Sequence, residues 1–227
     1  MRIRYTPAML GLALGLAALA PLGAHAQNAT RDAVDIATTH FRQRAASFAT
    51  TGADLADLAP TDAYTDAATG TSYVYLRQRV NGIEVFNTPA VAAVTRDGEV
   101  YGANAQFRTG LAARANDATP VIGATDAMRM AAGQLGITEL GTIVLVDERP
   151  ELPGGAVFSS TAFTERISAR LLYFATEAGA VRLTWDFTLP QRIPGRIIDD
   201  GVVIEGREHL WSLRVDAVTG RILDRAD

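Results

Sequence analysis

The sequence has 227 residues, 48% of them hydrophobic and 20% charged, and 25 Asp and Glu against 21 basic residues leave a net charge of −4. With no cysteine the chain has no disulfide framework, no thiolate ligand and no cysteine nucleophile. It also has no lysine, and an acidic chain without a basic run is a poor nucleic-acid binder. A chain of this length holds one large or two small domains.

Residues 1–26 read as an export signal. Arg2 and Arg4 precede an apolar run over residues 9–22, and Ala24-His25-Ala26 supplies the small residues of a cleavage site, so cleavage is expected after Ala26. The run is short for a membrane span and is interrupted at Pro21 and Gly23. A secreted or periplasmic location follows, and a lipoprotein anchor is excluded for want of a cysteine. Losing the two signal arginines leaves 19 basic residues (21 − 2) against 25 acidic ones, a charge of about −6.

Residues 30–48 have helical periodicity, with Val34, Ala37, Phe41, Ala45 and Phe48 recurring every three or four positions. Thr30 is placed as the N-cap, Asp32 in the first turn, and His40 as a surface residue without a second ligand nearby. Residues 50–70 are rich in Ala, Asp, Thr and Gly and read as a connection, with one helical turn before Pro60.

Residues 73–107 are the best-punctuated stretch, read as strand, turn, strand, strand, turn, strand. Val74, Leu76 and Val80 share one face of the first strand with Gln78 as the break, while Tyr73, Tyr75, Arg77 and Arg79 share the other. Asn81-Gly82 is a strong hairpin signal, because both central residues of a type I′ turn need positive φ. Asp97-Gly98 marks the next turn. Residues 109–119 form a polar passage and the expected boundary.

After Pro120 the helical period returns, with Ala124, Ala127, Met130, Ala131, Gln134 and Leu135 as the stripe and Gly136 at C′. Strands are then expected at residues 142–146, weakly at 156–163, at 170–176 and 181–189 around a 177–180 hairpin, and at 207–215 and 221–224. Pro190, Pro194 and Gly195 are read as breaks. The expected fold class is therefore α+β: two small units, each an antiparallel sheet packed on a helix, cystatin-like in outline, over residues 27–110 and 118–227.

Chemistry is sought and mostly absent. No H-E-x-x-H occurs, and after signal removal only His40 and His209 remain, far apart in sequence. No G-x-S-x-G elbow is present, and the missing lysine removes both a Ser–Lys pair and a phosphate loop. The pairs Asp199-Asp200, Asp147-Glu148 and Asp54/Asp57 read as solvated groups rather than an acid–base pair, and no calcium loop is present. No catalytic residue, cofactor or metal ligand is assigned. Tyr73 and Tyr75, on a nominally outer face, are the better clue to a binding surface.

Val74 to Asn87 (VYLRQRVNGIEVFN), followed by VTRDGEV at residues 94–100, resembles the fungalysin/thermolysin propeptide (FTP) domain. Gln78, Asn81, Gly82, Val85, Phe86, Asn87, Asp97, Gly98 and Val100 carry the resemblance. The rest is similar to a PepSY-like domain, above all the ending from Trp211 through Val215-Asp216-Ala217-Val218-Thr219-Gly220 to Leu223. The resemblance implies a secreted pro-region whose partner is a zinc metallopeptidase catalytic domain, which it helps to fold and keeps inactive, without catalysis of its own. It marks Tyr73, Tyr75, Gln78, Asn81, Gly82, Phe86, Asp97, Gly98 and Trp211 as motif or partner-facing residues. Action in cis, as part of a precursor, and in trans both remain open, as does a binding module for peptides or cell wall.

Overall fold

The computed structural model describes residues 22–193, 196–197, 203–204 and 207–227; most of the expected export signal lies outside them. Helix α1 (Leu22–Gln43) begins eight residues before Thr30, so Thr30 lies within the helix rather than capping it, and its Oγ1 shares a 3.0 Å hydrogen bond with Thr65 Oγ1. The chain continues as a 3-10 turn, Ala45–Phe48. Ala33, Ala37, Phe41 and Ala45 recur every fourth residue and are all buried, with Phe41 packed edge-on against Phe107 and tilted against Phe48. Among the described residues no helix is long and apolar enough to cross a membrane.

Four antiparallel strands cover this helix in chain order: β1 (Leu58–Thr65), β2 (Ser72–Val80), β3 (Ile83–Val94) and β4 (Val100–Ala105). Val74, Leu76, Ala90 and Ala92 point inward, as a period of two requires. β1 overturns the expected connection at residues 50–70. Its Pro60 is tolerated because β1 is an edge strand, where a missing N–H leaves no ladder bond unmade, and the register shifts just after it. The two strands expected between Gly82 and Arg96 are one bent strand, β3.

The second unit begins with a short turn of helix, α2 (Leu111–Arg114), inside the passage expected to be a polar boundary; its Leu111 is buried. Helix α3 (Ala124–Leu135) ends at Gly136 with φ +70, as expected. Its buried face is Ala124, Ala127, Met128, Ala131 and Ala132, whereas Met130, expected in the stripe, is exposed beside Gly220. Strands β5 (Ile143–Arg149), β6 (Gly155–Ser160), β7 (Phe163–Ala175) and β8 (Val181–Ile193) follow. A two-stranded ribbon pairs β9 (Arg196–Ile197) with β10 (Val203–Ile204), and β11 (Arg207–Asp216) and β12 (Ile222–Ala226) complete the fold. β8 does not stop at Pro190, which sits opposite Leu210 of β11. The order is β5-β6-β7-β8-β11-β12, antiparallel throughout, with α3 against β8 and β11.

The two units meet through β3. Val85 pairs in parallel with Tyr173 of β7, joining ten strands into one sheet. Val80, Ile83 and Val85, from the β2–β3 hairpin, belong to the hydrophobic core under α3, not to the one under α1. Each half thus has its own core, and the first half supplies apolar side chains to the second.

This sharing sets how the protein unfolds. Both tryptophans, Trp185 and Trp211, lie in the second unit, so fluorescence reports that unit while far-UV circular dichroism reports both. The two urea transitions should coincide. Val85→Ala should lower stability by about 1–3 kcal/mol and move both transitions together.

Candidate interaction surface

The bend in β3 organises the FTP-like residues. Arg77 lies opposite Pro89 and Arg79 opposite Glu84, so the segment from Val85 to Thr88 bulges out against Gln78 alone. The Gln78 backbone N–H donates to Thr88 Oγ1 (3.3 Å), which donates to the Val85 carbonyl (2.9 Å), and Asn87 takes φ +56 to make the corner. The Gln78 side chain is fully buried. Its Nε2 donates to the carbonyls of Arg108 (2.8 Å) and Asp54 (3.2 Å), and its Oε1 accepts from the Arg108 N–H (2.8 Å). The amide therefore stands in for a missing strand neighbour and ties together three segments. Asp54 Oδ1 accepts from Gly110 N–H at 2.6 Å beside it. Burial pushes the Asp54 carboxyl up, but hydrogen bonds from Thr51, Gly110 and Thr50 outweigh it and hold the group below the ordinary aspartate value.

The other motif residues fall at different places. Asn81 (φ +52) and Gly82 (φ +76) form the expected turn at the exposed tip of the hairpin that enters the second unit. The Tyr173 hydroxyl there donates to the Asn116 carbonyl at 2.8 Å. Burial raises the Tyr173 phenol above its ordinary value, with Asn81 opposing the shift and Asp117 adding to it. Phe86, on the bulge, lies across to the second sheet, its ring 4.1 Å from the Arg214 guanidinium and 6.0 Å from Phe174. Asp97 and Gly98 form the exposed β3–β4 turn, with Gly98 at φ +82 beside Ile36 of α1. Trp211 is half-buried against the second core, donating Nε1–H to Gln191 Oε1 (2.7 Å) and stacked on His209.

Tyr73 and Tyr75 lie on the face that no helix covers, and are joined by Tyr64 of β1, which stacks on both with centroids 5.3 and 6.4 Å away. Next to Tyr75, Pro89, Val91 and Asn104 line a shallow depression of about 180 Å³. Beyond the tyrosines runs a ladder of alternating charge with one member from each of six strands: Arg77, Glu84, Arg170, Asp186, Arg214 and Asp224. Its five contacts fall between 3.1 and 3.4 Å. Glu84 Oε2 bridges Arg77 and Arg170, so the ladder crosses the joint between the units. A second depression of about 340 Å³, lined by Arg170, Asp186, Thr188 and Ser212 among others, lies over β6–β8. The helix-free face thus combines apolar aromatic area with internally neutralised charge, a composition suited to a protein partner. Among the described residues no three His, Cys, Asp or Glu side chains come together as a metal site.

Two features escaped the sequence reading. Asp66 heads a turn, Asp66-Ala67-Ala68-Thr69-Gly70, that matches the one headed by Asp216, Asp216-Ala217-Val218-Thr219-Gly220. In each, Oδ1 accepts the N–H groups two and three residues on, and glycine returns its N–H to the aspartate carbonyl at positive φ. The repeated D-A-x-T-G was the available signal. Buried Asp216 also accepts from Arg182 Nε at 2.9 Å; burial alone would raise its carboxyl, but Arg182 and the turn N–H groups hold it below the ordinary value. Gln134 of α3 repeats the Gln78 device, donating to the Gly220 carbonyl (2.7 Å) and accepting from Ile222 N–H (3.0 Å).

Residues 56–107 match the family model described as the Fungalysin/Thermolysin Propeptide Motif. The match runs from two residues before β1 to two residues beyond β4, so it covers the first sheet and leaves α1 and the second unit outside. This part of the chain is thus similar to a propeptide domain rather than to a catalytic one. A search of curated proteins gives no match to the chain.

Gln78→Ala should cost about 2–4 kcal/mol, because it leaves part-buried backbone groups of Asp54 and Arg108 without these partners and empties a buried site; thermal or urea unfolding measures this. Asp216→Asn should destabilise by about 2 kcal/mol at neutral pH through loss of charged hydrogen bonds. The folded-state value of Asp216 is depressed, so its contribution is present above the ordinary carboxylate range and lost as pH falls through the folded value. The gap between wild type and Asp216→Asn should therefore narrow below about pH 4.

Proposed function

We propose that the protein is a non-catalytic pro-region module that binds a zinc metallopeptidase catalytic domain of the fungalysin/thermolysin type, assists its folding and restrains its activity. The carrying observation is that the whole first sheet, β1 to β4, falls within the propeptide match. The similarity to a PepSY-like domain over the second unit extends the reading to both halves, and a secreted or periplasmic location accords with it. On this reading the partner meets the helix-free face, where Tyr64 and Tyr75 offer contact area at low entropic cost. The motif residues Gln78, Asn81, Gly82 and Phe86 hold that face in shape. The stacked tyrosines favour one second reading, a secreted module for peptides or cell-wall glycans.

The test is titration of the protein into a purified catalytic domain of this peptidase type, with turnover of a peptide substrate as readout, alongside refolding of that domain with and without it. Inhibition at micromolar concentration and a higher refolding yield are expected. The double variant Tyr64→Ala/Tyr75→Ala should weaken inhibition about tenfold or more while leaving the melting temperature nearly unchanged. Absence of both inhibition and folding assistance, with retention on peptidoglycan, would transfer support to the second reading.

A further inference from the structure

The second unit carries an unguarded edge that the pro-region reading does not use. Among the described residues β5 pairs with β6 alone, so its other side presents free backbone N–H and C=O groups. The other edges are defended or short: β1 carries Pro60 and a register shift, β12 is five residues long and carries Asp224 and Arg225, and β4 is six residues long. β5 instead exposes Val144, Leu145 and Val146 in succession, each more than two-fifths accessible. Such a run on an open edge is an invitation to pair with another strand.

The ground beside this edge is shaped as well. A cavity of about 580 Å³ opens along β5, its walls including Leu145, Leu152, Phe158, Trp185 and Ala124 at the start of α3. The register skips Val146, so Leu145 and Glu148 both line this cavity although they are three positions apart. Asp147 is held by Arg149 at 3.1 Å, whereas Glu148 has no ion-pair partner among the described residues. The trough is mainly apolar, with Thr125, Glu148 and Arg149 also in its lining; Arg149 is paired with Asp147, so Glu148 is the charge in it that has no ion-pair partner among the described residues.

We propose that β5 is a strand-addition site for an extended segment of a partner protein that carries Arg or Lys two residues before an aliphatic residue. Antiparallel addition places the aliphatic side chain opposite Leu145 and the cation opposite Glu148, the bulge in β5 accounting for a spacing of two against three. Main-chain hydrogen bonds supply affinity, and the trough and Glu148 supply selection. A second copy of β5 fits less well. The register that lays Leu145 on Leu145 brings the uncharged Ile143 opposite Glu148, leaving the carboxylate unmatched. The inference does not depend on the partner being a peptidase.

Fluorescence anisotropy with the labelled probe acetyl-Thr-Arg-Thr-Val-Thr-Ile-amide tests it on the intact protein. Saturable binding with a dissociation constant below about 100 µM is expected at low salt, weakening as salt rises. Glu148→Gln, an exposed change checked by its unaltered melting temperature, should weaken the Arg probe about two- to fivefold and leave a probe with Gln in place of Arg unaffected. N-methylation of alternate probe amides on the pairing side should cost at least about tenfold. Failure to saturate by about 1 mM, equal binding of the N-methylated probe, or indifference of the Arg probe to Glu148→Gln would each overturn the proposal. So would a dimer by light scattering that Leu145→Arg makes monomeric, since the edge would then be a self-interface.

Discussion

The constraint on which the rest depends is that one strand serves two sheets. β3 must pair with β2 along one side, and on the other with β4 over its later residues and with β7 at Val85. A regular strand cannot do this, because its neighbours would have to occupy the same line. The bulge from Val85 to Thr88 solves the problem by displacing the early part of β3 onto the second unit. Bulging leaves backbone groups without ladder partners, and a buried unpaired group costs free energy on the scale of a lost hydrogen bond. Thr88 and Gln78 supply those partners from side chains, and Asn87 accepts the left-handed conformation that the corner demands.

Once β3 is committed to both halves, the helix-free faces of the two units become continuous, and the charge ladder spans them. Directly opposed charges on paired strands are mutually favourable, and like charges there would be unfavourable. Arg170, Asp186, Arg214 and Asp224 are opposed in this way across β7, β8, β11 and β12, while Glu84 reaches Arg77 and Arg170 off register, so the alternation favours this order of strands. Its members are mostly half-exposed, so each pair adds little to stability. Arg214 is the exception: it is buried, flanked by Asp186 and Asp224 and covered by the Phe86 ring. Desolvation makes it costly to leave unpartnered, which locks Phe86, and with it the bulge, onto the second sheet.

Much of this was legible in the sequence, and the exceptions have physical reasons. The period-two face of Val74, Leu76 and Val80, the Asn81-Gly82 turn and the Gly136 helix end are local signals, and local signals survive tertiary context. β1 was hidden because an edge strand buries one side only, so its apolar content is low, and Pro60 reads as a breaker when its partner is unknown. The two strands expected between Gly82 and Arg96 are one bent strand, because a bulge and a break between strands use the same residue types. Met130 was misplaced because its neighbour, Gly220, lies ninety residues on, a distance that no helical window contains. The ladder could not be read at all, since its order is that of strands in space.

The same reasoning bears on what a motif resemblance marks. Gln78, with its four hydrogen bonds, is enclosed, and Phe86 is laid over Arg214 on the helix-free face; both are in a series that is recognisable in sequence because the bulge admits few alternatives there. Only an amide of that length can present a donor and an acceptor side by side to Arg108. Surfaces that meet a partner face no such geometric demand, because many side chains supply contact area. The readable signature of this sheet is thus set by the cost of bending β3. The residues that the signature leaves free are the tyrosines on the open face and the unguarded edge of β5.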